Sequence, residues 1–187
     1  MTIESPATAI SANPFLSRFE IFQYAWVVPN IDDAAREWNS MAGVGPFVAM
    51  RDVSVTGQTY RGRPSATRFS VAIATNSGVQ IELIEQLDGS KSAYRDTVPA
   101  GSTQFHHIGI WADDFDATLA HFDSVSIDVA ASGQLGATRY AYVDTTKSLG
   151  HMIEIVERTE DIKVFFKSIE KASEDWTYDT SNLVQMG

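Results

Sequence analysis

The chain has 187 residues, of which 44% are hydrophobic and 11% aromatic, so it is long enough for one folded domain and too apolar for general disorder. Its formal net charge of −10 disfavours nucleic acid and anionic membrane surfaces as partners. The absence of cysteine excludes disulfides and thiolate ligands, so any metal must be held by oxygen and imidazole nitrogen.

Residues 1–18 are predicted to form a flexible N-terminal arm, because small and polar residues dominate this segment and two prolines interrupt it. The arm has neither the basic start nor the apolar stretch of a secretory signal. No segment of the chain approaches the roughly 20 apolar residues that a membrane helix needs. A cytoplasmic protein without a membrane partner is therefore expected.

The first module is predicted over residues 19–88 as one strand, one helix and three further strands. An aromatic and β-branched run predicts the first strand, and apolar residues at helical spacing predict a helix from about Asp32 to Gly43. Apolar runs over 46–55 and 66–74 predict two strands, with the polar segment 56–65 as their connection. Alternation around Glu82 predicts the last strand of the module.

The second module is predicted over 104–158, after a polar connector, and it repeats the order of the first. The prediction comprises a helix over 114–123, turns at Gly133 and Gly136, and strands over 105–111, 126–130, 137–143 and 150–157. The remaining segment, 159–187, is predicted as an amphipathic helix followed by an extended tail. The repeat predicts an α+β domain over 19–158, in which two tandem βαβββ modules form a cupped eight-stranded mixed sheet.

Each module places polar, metal-competent side chains at two matching positions. Gln23 and His107 lie in the opening strands, whereas Glu82 and Glu154 lie in the closing strands. Strand parity directs both glutamates to the face opposite the helices, where a carboxylate is costly unless it is paired or binds a cation. A single glutamate in a strand is usually exposed, but the matched positions favour a divalent metal site made of these four residues. His106 is expected to point to the opposite face and to have a structural role.

Substrate contacts are predicted at four further positions. Trp111 and Met152 share, by parity, the faces of His107 and Glu154, so both are predicted to line an aromatic pocket. Arg61 and Arg63 belong to a local excess of arginine and are predicted to bind an anionic group of the substrate. The alternative interpretations are hydrophobic core for the first pair and a solvated loop for the second.

The repeat, the strand-opening Gln23 and His107, the Glu82 strand and the closing run from Gly150 to Glu157 resemble the vicinal oxygen chelate superfamily. This group includes glyoxalase I, methylmalonyl-CoA epimerase, extradiol dioxygenases and bleomycin-resistance proteins. The resemblance covers about 19–158 and is nearest to glyoxalase-like and methylmalonyl-CoA-epimerase-like members. It implies a divalent ion (Zn, Ni, Co, Mn or Mg) held by the four matched residues, a small-molecule substrate and a homodimer.

The resemblance and the ligand set predict an isomerase, epimerase or lyase that transfers a proton through a metal-stabilised enediolate. The substrate is expected to be small, oxygenated, and anionic or aromatic, with Glu154 or Glu82 carrying the proton. Gln23 replaces the first histidine of the extradiol dioxygenases, which disfavours oxygen chemistry. No acidic residue lies between Asp52 and Glu82, so the first-module base of the epimerase-type branch is missing. The alternative is a non-catalytic binding or sequestration protein of the bleomycin-resistance type.

Overall fold

The computed structural model of the chain describes residues 19–187, and the predicted arm over 1–18 lies outside the described residues. The elements of the first half are, in chain order, β1 (Ile21–Val27), α1 (Ile31–Ala42), β2 (Phe47–Met50), β3 (Thr56–Tyr60), β4 (Arg63–Pro64), β5 (Phe69–Asn76), β6 (Val79–Gln86) and α2 (Ala93–Thr97). Those of the second half are β7 (Gln104–Ala112), α3 (Phe115–Ser124), β8 (Val129–Leu135), β9 (Thr138–Val143), α4 (Thr146–Leu149), β10 (Met152–Glu157), α5 (Glu160–Glu174) and β11 (Val184–Met186).

The described strands form one mixed sheet in the order β11-β2-β5-β6-β1-β7-β10-β9-β8-β3-β4. The opening strands of the two modules, β1 and β7, pair antiparallel at its centre. Each opening strand also pairs in parallel with the closing strand of its own module, β1 with β6 and β7 with β10. The predicted α+β architecture of two βαβββ modules is confirmed, and it brings the four opening and closing strands side by side.

The helices of the two modules cover one face of the sheet. In the first module Ile31 of α1 packs with Ile81 and Leu83 of β6, and in the second Phe122 of α3 packs with Ile155 of β10. Residues of opposite parity in the same strands belong to a separate cluster on the concave face, which we define as the face opposite α1 and α3. The predicted strand parity of β6 and β10 is therefore confirmed.

The sheet has 11 strands in the described part of the chain rather than the predicted eight. The segment predicted as a polar connection forms β3 and β4, and β3 pairs with β8 of the other module, where Thr59 Oγ1 lies 2.8 Å from Ser132 Oγ. Gly133 lies within β8 and not in a turn. A Cβ atom there would be 2.4 Å from a methyl carbon of Val55, so glycine permits the close approach of the segment leading into β3.

The connector and the C-terminal tail are also more ordered than predicted. The connector contains α2, whose first turn is capped by the Ser92 side chain. In the tail, β11 pairs in parallel with β2, with Val184 opposite Phe47. Short polar segments of this kind have weak local signals, and tertiary pairing decides their conformation.

The predicted C-terminal helix is confirmed as α5, and it crosses the concave face of the first module. The Thr159 side chain caps its first turn, and the fully buried Ile169 packs with Val48 of β2 and Ile73 of β5. This contact holds the amino-terminal half of α5 over the opening of the concave face. Among the described residues no helix is long and apolar enough to span a membrane.

Candidate metal and substrate site

The centre of the sheet carries a pattern of small residues flanked by polar ones. Ala25 of β1 lies between Glu82 of β6 and His107 of β7 in register. Gly109 of β7 lies in the same way between Gln23 of β1 and Glu154 of β10. Because the small residues leave space above the sheet, the four larger side chains can converge on it.

Three of the predicted ligands meet at one point. His107 Nε2 lies 3.3 Å from Glu154 Oε2 and 3.5 Å from Glu82 Oε2. The three ligand atoms lie within 4.8 Å of one another, which is a spacing that a single metal ion can bridge. The His107 side chain is fully buried and the two carboxylates are 10–12% exposed.

Gln23 lines the same cavity as the two glutamates. Its amide nitrogen donates a 3.0 Å hydrogen bond to Gln80 Oε1, so its carbonyl oxygen is the atom left to bind something else. A Cβ at Gly109 would lie 3.1 Å from this oxygen, so any larger residue at this position would crowd the Gln23 side chain. The importance of Gly109 was missed in the sequence, because its close contacts depend on strand register.

Three of the seven buried side-chain atoms without a hydrogen-bond partner in the described chain belong to this site. They are Gln23 Oε1, Glu82 Oε2 and His107 Nε2, which belong to three of the four predicted ligands. An unpaired buried polar atom costs about 1–3 kcal/mol, and an ionised one costs more. A divalent cation would satisfy all of them at once, so the donor set fits a metal bound through oxygen and imidazole nitrogen.

His106 contacts His107 directly, which corrects the prediction that it faces the opposite side. The pairing of β1 with β7 shifts between Ala25–His107 and Trp26–Phe105, so His106 is the extra residue of a β-bulge. A bulge turns the side chain out of strict alternation, and the two imidazole Nδ1 atoms lie 2.9 Å apart. A single sequence contains no signal for this bulge.

The contact between the two histidines determines the tautomer of His107. His106 Nε2 lies 3.1 Å from the Ala93 carbonyl oxygen, which can only accept a hydrogen bond, so this nitrogen carries a proton. Burial lowers the pKa of His106 to about 3, so its ring is neutral and its Nδ1 accepts. His107 Nδ1 must then donate, so Nε2, which faces the two carboxylates, is the ring nitrogen left to bind a metal.

We expect His106→Phe to weaken Zn²⁺ binding roughly 10–100-fold, the usual cost of losing a residue that orients a metal ligand. His106→Gln, which keeps an acceptor for His107 Nδ1–H, should lose less. Calorimetric titration of zinc into each folded variant measures the effect, with circular dichroism as the control for structure. An unchanged dissociation constant in the Phe variant would remove His106 from this role.

Burial, and secondarily the charge of Glu154, raises the pKa of Glu82 well above its ordinary value. Two buried carboxylates that converge on one point cannot both be ionised at low cost without a cation. The raised pKa of Glu82 and the buried atoms without hydrogen-bond partners therefore both favour a bound cation at this site.

Three of the four polar residues, Gln23, Glu82 and Glu154, line a cavity of about 280 Å³ on the concave face. Gln23, Glu82 and Glu154 lie at its floor. Its walls are mostly apolar and come from β5, β9 and α5, with Val71, Ile73, Tyr140, Tyr142, Phe165 and Phe166 among the lining residues. The contribution of α5 was not expected from the sequence, which predicts the helix but not the surface it covers.

Neither Trp111 nor Met152 reaches the wall of this cavity. Trp111 stacks on Phe22 with 4.2 Å between ring centroids, and lies 5.6 Å from Phe166, which does line the wall. Met152 is fully buried in the core cluster at the start of β10. Strand parity predicts correctly that Met152 lies on the concave face. It does not predict that Met152 is buried in one cluster with Tyr140 and Tyr142 of the neighbouring β9.

The two arginines predicted to bind an anionic group also lie away from the cavity. Arg61 Nη2 lies 2.6 Å from carboxylate oxygens of both Asp96 and Asp144, so this side chain links β3–β4 to two other segments. Arg63 is exposed in the two-residue strand β4. Arg61 thus forms ion pairs with acidic residues that are distant in sequence, and a single sequence does not reveal such pairs.

Solved structures with a similar fold include three with nearly complete coverage of their own chains. Methylmalonyl-CoA epimerase from Mycobacterium tuberculosis has a TM-score of 0.51 and 17% identity, over 77% of this chain and 91% of that chain. A methylmalonyl-CoA epimerase in complex with methylmalonyl-CoA and NH4+ has a TM-score of 0.51 and 16% identity, over 76% and 96%. A hypothetical protein from Bacillus halodurans C-125 has a TM-score of 0.53 and 14% identity, over 76% and 96%. At these identities the likeness shows the fold alone.

No curated protein sequence matches the chain. The family model described as the glyoxalase/bleomycin resistance protein/dioxygenase superfamily matches residues 22–142, which is more than half of the chain. This range includes Gln23, Glu82 and His107, and the structure adds Glu154 from β10 beyond it. The predicted resemblance and the glyoxalase-like fold class are thus confirmed, and the chain belongs to the glyoxalase/bleomycin resistance protein/dioxygenase superfamily.

Proposed function

We propose that this protein is a divalent-metal-dependent isomerase, epimerase or lyase that moves a proton on a carbon next to an oxygen-bearing group of a small molecule. The observation that carries the proposal is the arrangement of two buried carboxylates around Nε2 of His107. Such an arrangement is costly in an empty structural core and is expected where a cation and a substrate bind. We assign Gln23, Glu82, His107 and Glu154 as the residues that would hold the ion.

A bound divalent ion would stabilise the negative charge that develops on a substrate oxygen, which lowers the pKa of the neighbouring C–H group. Glu82 and Glu154 come from different strands, β6 and β10, on either side of the β1–β7 pair, and both line the cavity. One carboxylate can therefore take the proton and the other can return it from a different direction.

The first experiment measures the divalent metal content of the protein purified without chelators. Solvent-deuterium exchange into 2-oxo compounds and thioesters then tests for proton transfer. We expect stoichiometric metal, and exchange that falls about 10²–10⁴-fold in Glu154→Gln, the usual contribution of a general acid or base. Wild-type exchange in a folded Glu154→Gln variant would remove Glu154 from catalysis, and the absence of a bound ion would contradict the whole proposal.

Binding without catalysis is the second candidate, because the cavity is apolar and the acidic residue of the first module that would serve as a base is missing between Asp52 and Glu82. A binding protein would hold its ligand tightly and leave every C–H group of the ligand unexchanged after long incubation in deuterated water. Proton exchange at any one position of a bound ligand favours the enzyme.

A further inference from the structure

The charged groups around the cavity are all acidic. The lining residues that carry charge are Glu82, Glu154 and Asp161, and no lysine or arginine lines the cavity within the described chain. A divalent ion would balance the two glutamates, and the remaining charged lining residue, Asp161 in the first turn of α5, is also negative. An anionic substrate would lose its hydration on entering and would gain no cationic partner from the wall.

The arginines next to lining residues in the sequence, Arg51, Arg68 and Arg139, are paired with carboxylates, and so is Arg61, one of the predicted substrate contacts. Arg61 is bound by Asp96 and Asp144, and Arg68 Nη2 lies 2.7 Å from Asp52 Oδ2. To reach a substrate, Arg61 would have to leave two carboxylates, each 2.6 Å away. The phosphates of a nucleotide-bearing thioester would thus find no ready partner among these residues.

The walls provide apolar and aromatic contacts instead. β5 contributes Phe69, Val71 and Ile73, and α5 contributes Phe165 and Phe166. The cavity volume of about 280 Å³ is at the lower end of the roughly 300–1,000 Å³ that ligand pockets usually have. A compact molecule of one or two rings fits this volume and this lining.

Helix α5 supplies a part of the cavity wall that lies outside the family match, since the match ends at residue 142. Ile169 anchors the helix on Val48 and Ile73, while Phe165 and Phe166 nearer its start are only partly buried. The exposed parts of these two rings are apolar surface that a bound molecule would cover.

We infer that the substrate of this site is an uncharged, largely apolar ring compound that is covered by α5. This inference rests on the proposed metal-dependent function, and it names the class of substrate. It replaces the broader expectation of an anionic or aromatic molecule.

The test compares two probes that differ by one charge, a naphthalene diol with adjacent hydroxyl groups and its monosulfonate. Both are titrated into zinc-loaded protein, and binding is followed by calorimetry. We expect the diol to bind at least about tenfold more tightly. Phe166→Ala should weaken diol binding by a similar factor without changing zinc affinity. Val164→Ala, in the same helix but 67% exposed and away from the cavity wall, should change neither.

A variant that introduces a positive charge keeps the test independent of any loss of packing. Ile162 is partly exposed and lines the cavity from the first turn of α5, so Ile162→Lys should be tolerated and should shift the preference toward the sulfonate. Equal or tighter binding of the sulfonate by the wild type, or no binding of the diol, would overturn the inference while zinc binding still supported the proposed function. A wild-type protein that binds no zinc would overturn both.

Discussion

Replacement of His107 by alanine is expected to reduce Zn²⁺ affinity by more than about 100-fold, because even residues that only orient a ligand contribute 10–100-fold. The reason is geometric: His107 Nε2 is the one nitrogen of the candidate donor set, and it lies within 3.5 Å of both carboxylates. Without it, the remaining ligands would all be oxygen atoms, which suit Mg²⁺ or Ca²⁺ better than zinc. Elemental analysis and calorimetric titration measure the loss.

His151→Ala is the matched control for this experiment. His151 lies in the same module and is partly buried, but its Nδ1 contacts the Met152 carbonyl oxygen at 2.8 Å and it does not line the cavity. Zinc affinity should be retained in this variant. A similar loss in both variants would indicate general binding of zinc to histidines and would contradict the assigned site.

Substitution of Glu82 by glutamine is expected to have opposite effects on stability with and without metal. In the metal-free protein the folded-state pKa of Glu82 is raised well above its ordinary value of 4.5 by burial and by Glu154. The stability that Glu82 contributes is thus fully present below about pH 4.5 and is lost as the pH rises through the folded-state pKa. Glu82→Gln removes this loss, and should therefore raise the free energy of unfolding at pH 8.

With zinc present the order should reverse. A ligand at a hundredfold excess over its dissociation constant stabilises the folded state by about 2.7 kcal/mol, and the weaker ligand set of Glu82→Gln would gain less of this. Urea unfolding at pH 5 and pH 8, with chelator or with zinc, separates the effects. Equal pH dependence in the wild type and the variant without metal would show that Glu82 is not destabilised by the site.

The side-chain orientations that were predicted correctly belong to residues in regular strands. Glu82 and Glu154 lie in β6 and β10, which pair with their neighbours without a register shift, so alternation of side chains places both on the concave face. Comparison of the two modules then predicts that these residues lie in equivalent positions. The identity of the metal and the reaction stay predictions, because fold and ligand set are shared by several kinds of chemistry.

The parts that were missed depend on contacts between distant segments. The bulge at His106 arises from the pairing of β7 with β1, and the ion pairs of Arg61 involve residues 35 and 83 positions away. The polar β3 and the short β11 become strands because edge strands of the sheet are available to them. Local sequence patterns report periodicity and charge, but they do not report which partner a segment will meet.

The two edges of the sheet bear on how the protein associates with itself. In the described part of the chain, one edge is β4, which has two residues and includes Pro64, and the other is β11, which has three residues. Short edges and proline are features that prevent a sheet from being extended by a strand of another molecule. The predicted homodimer would therefore have to form through packed faces and side chains, and continuous backbone pairing between copies is disfavoured at both ends of the sheet.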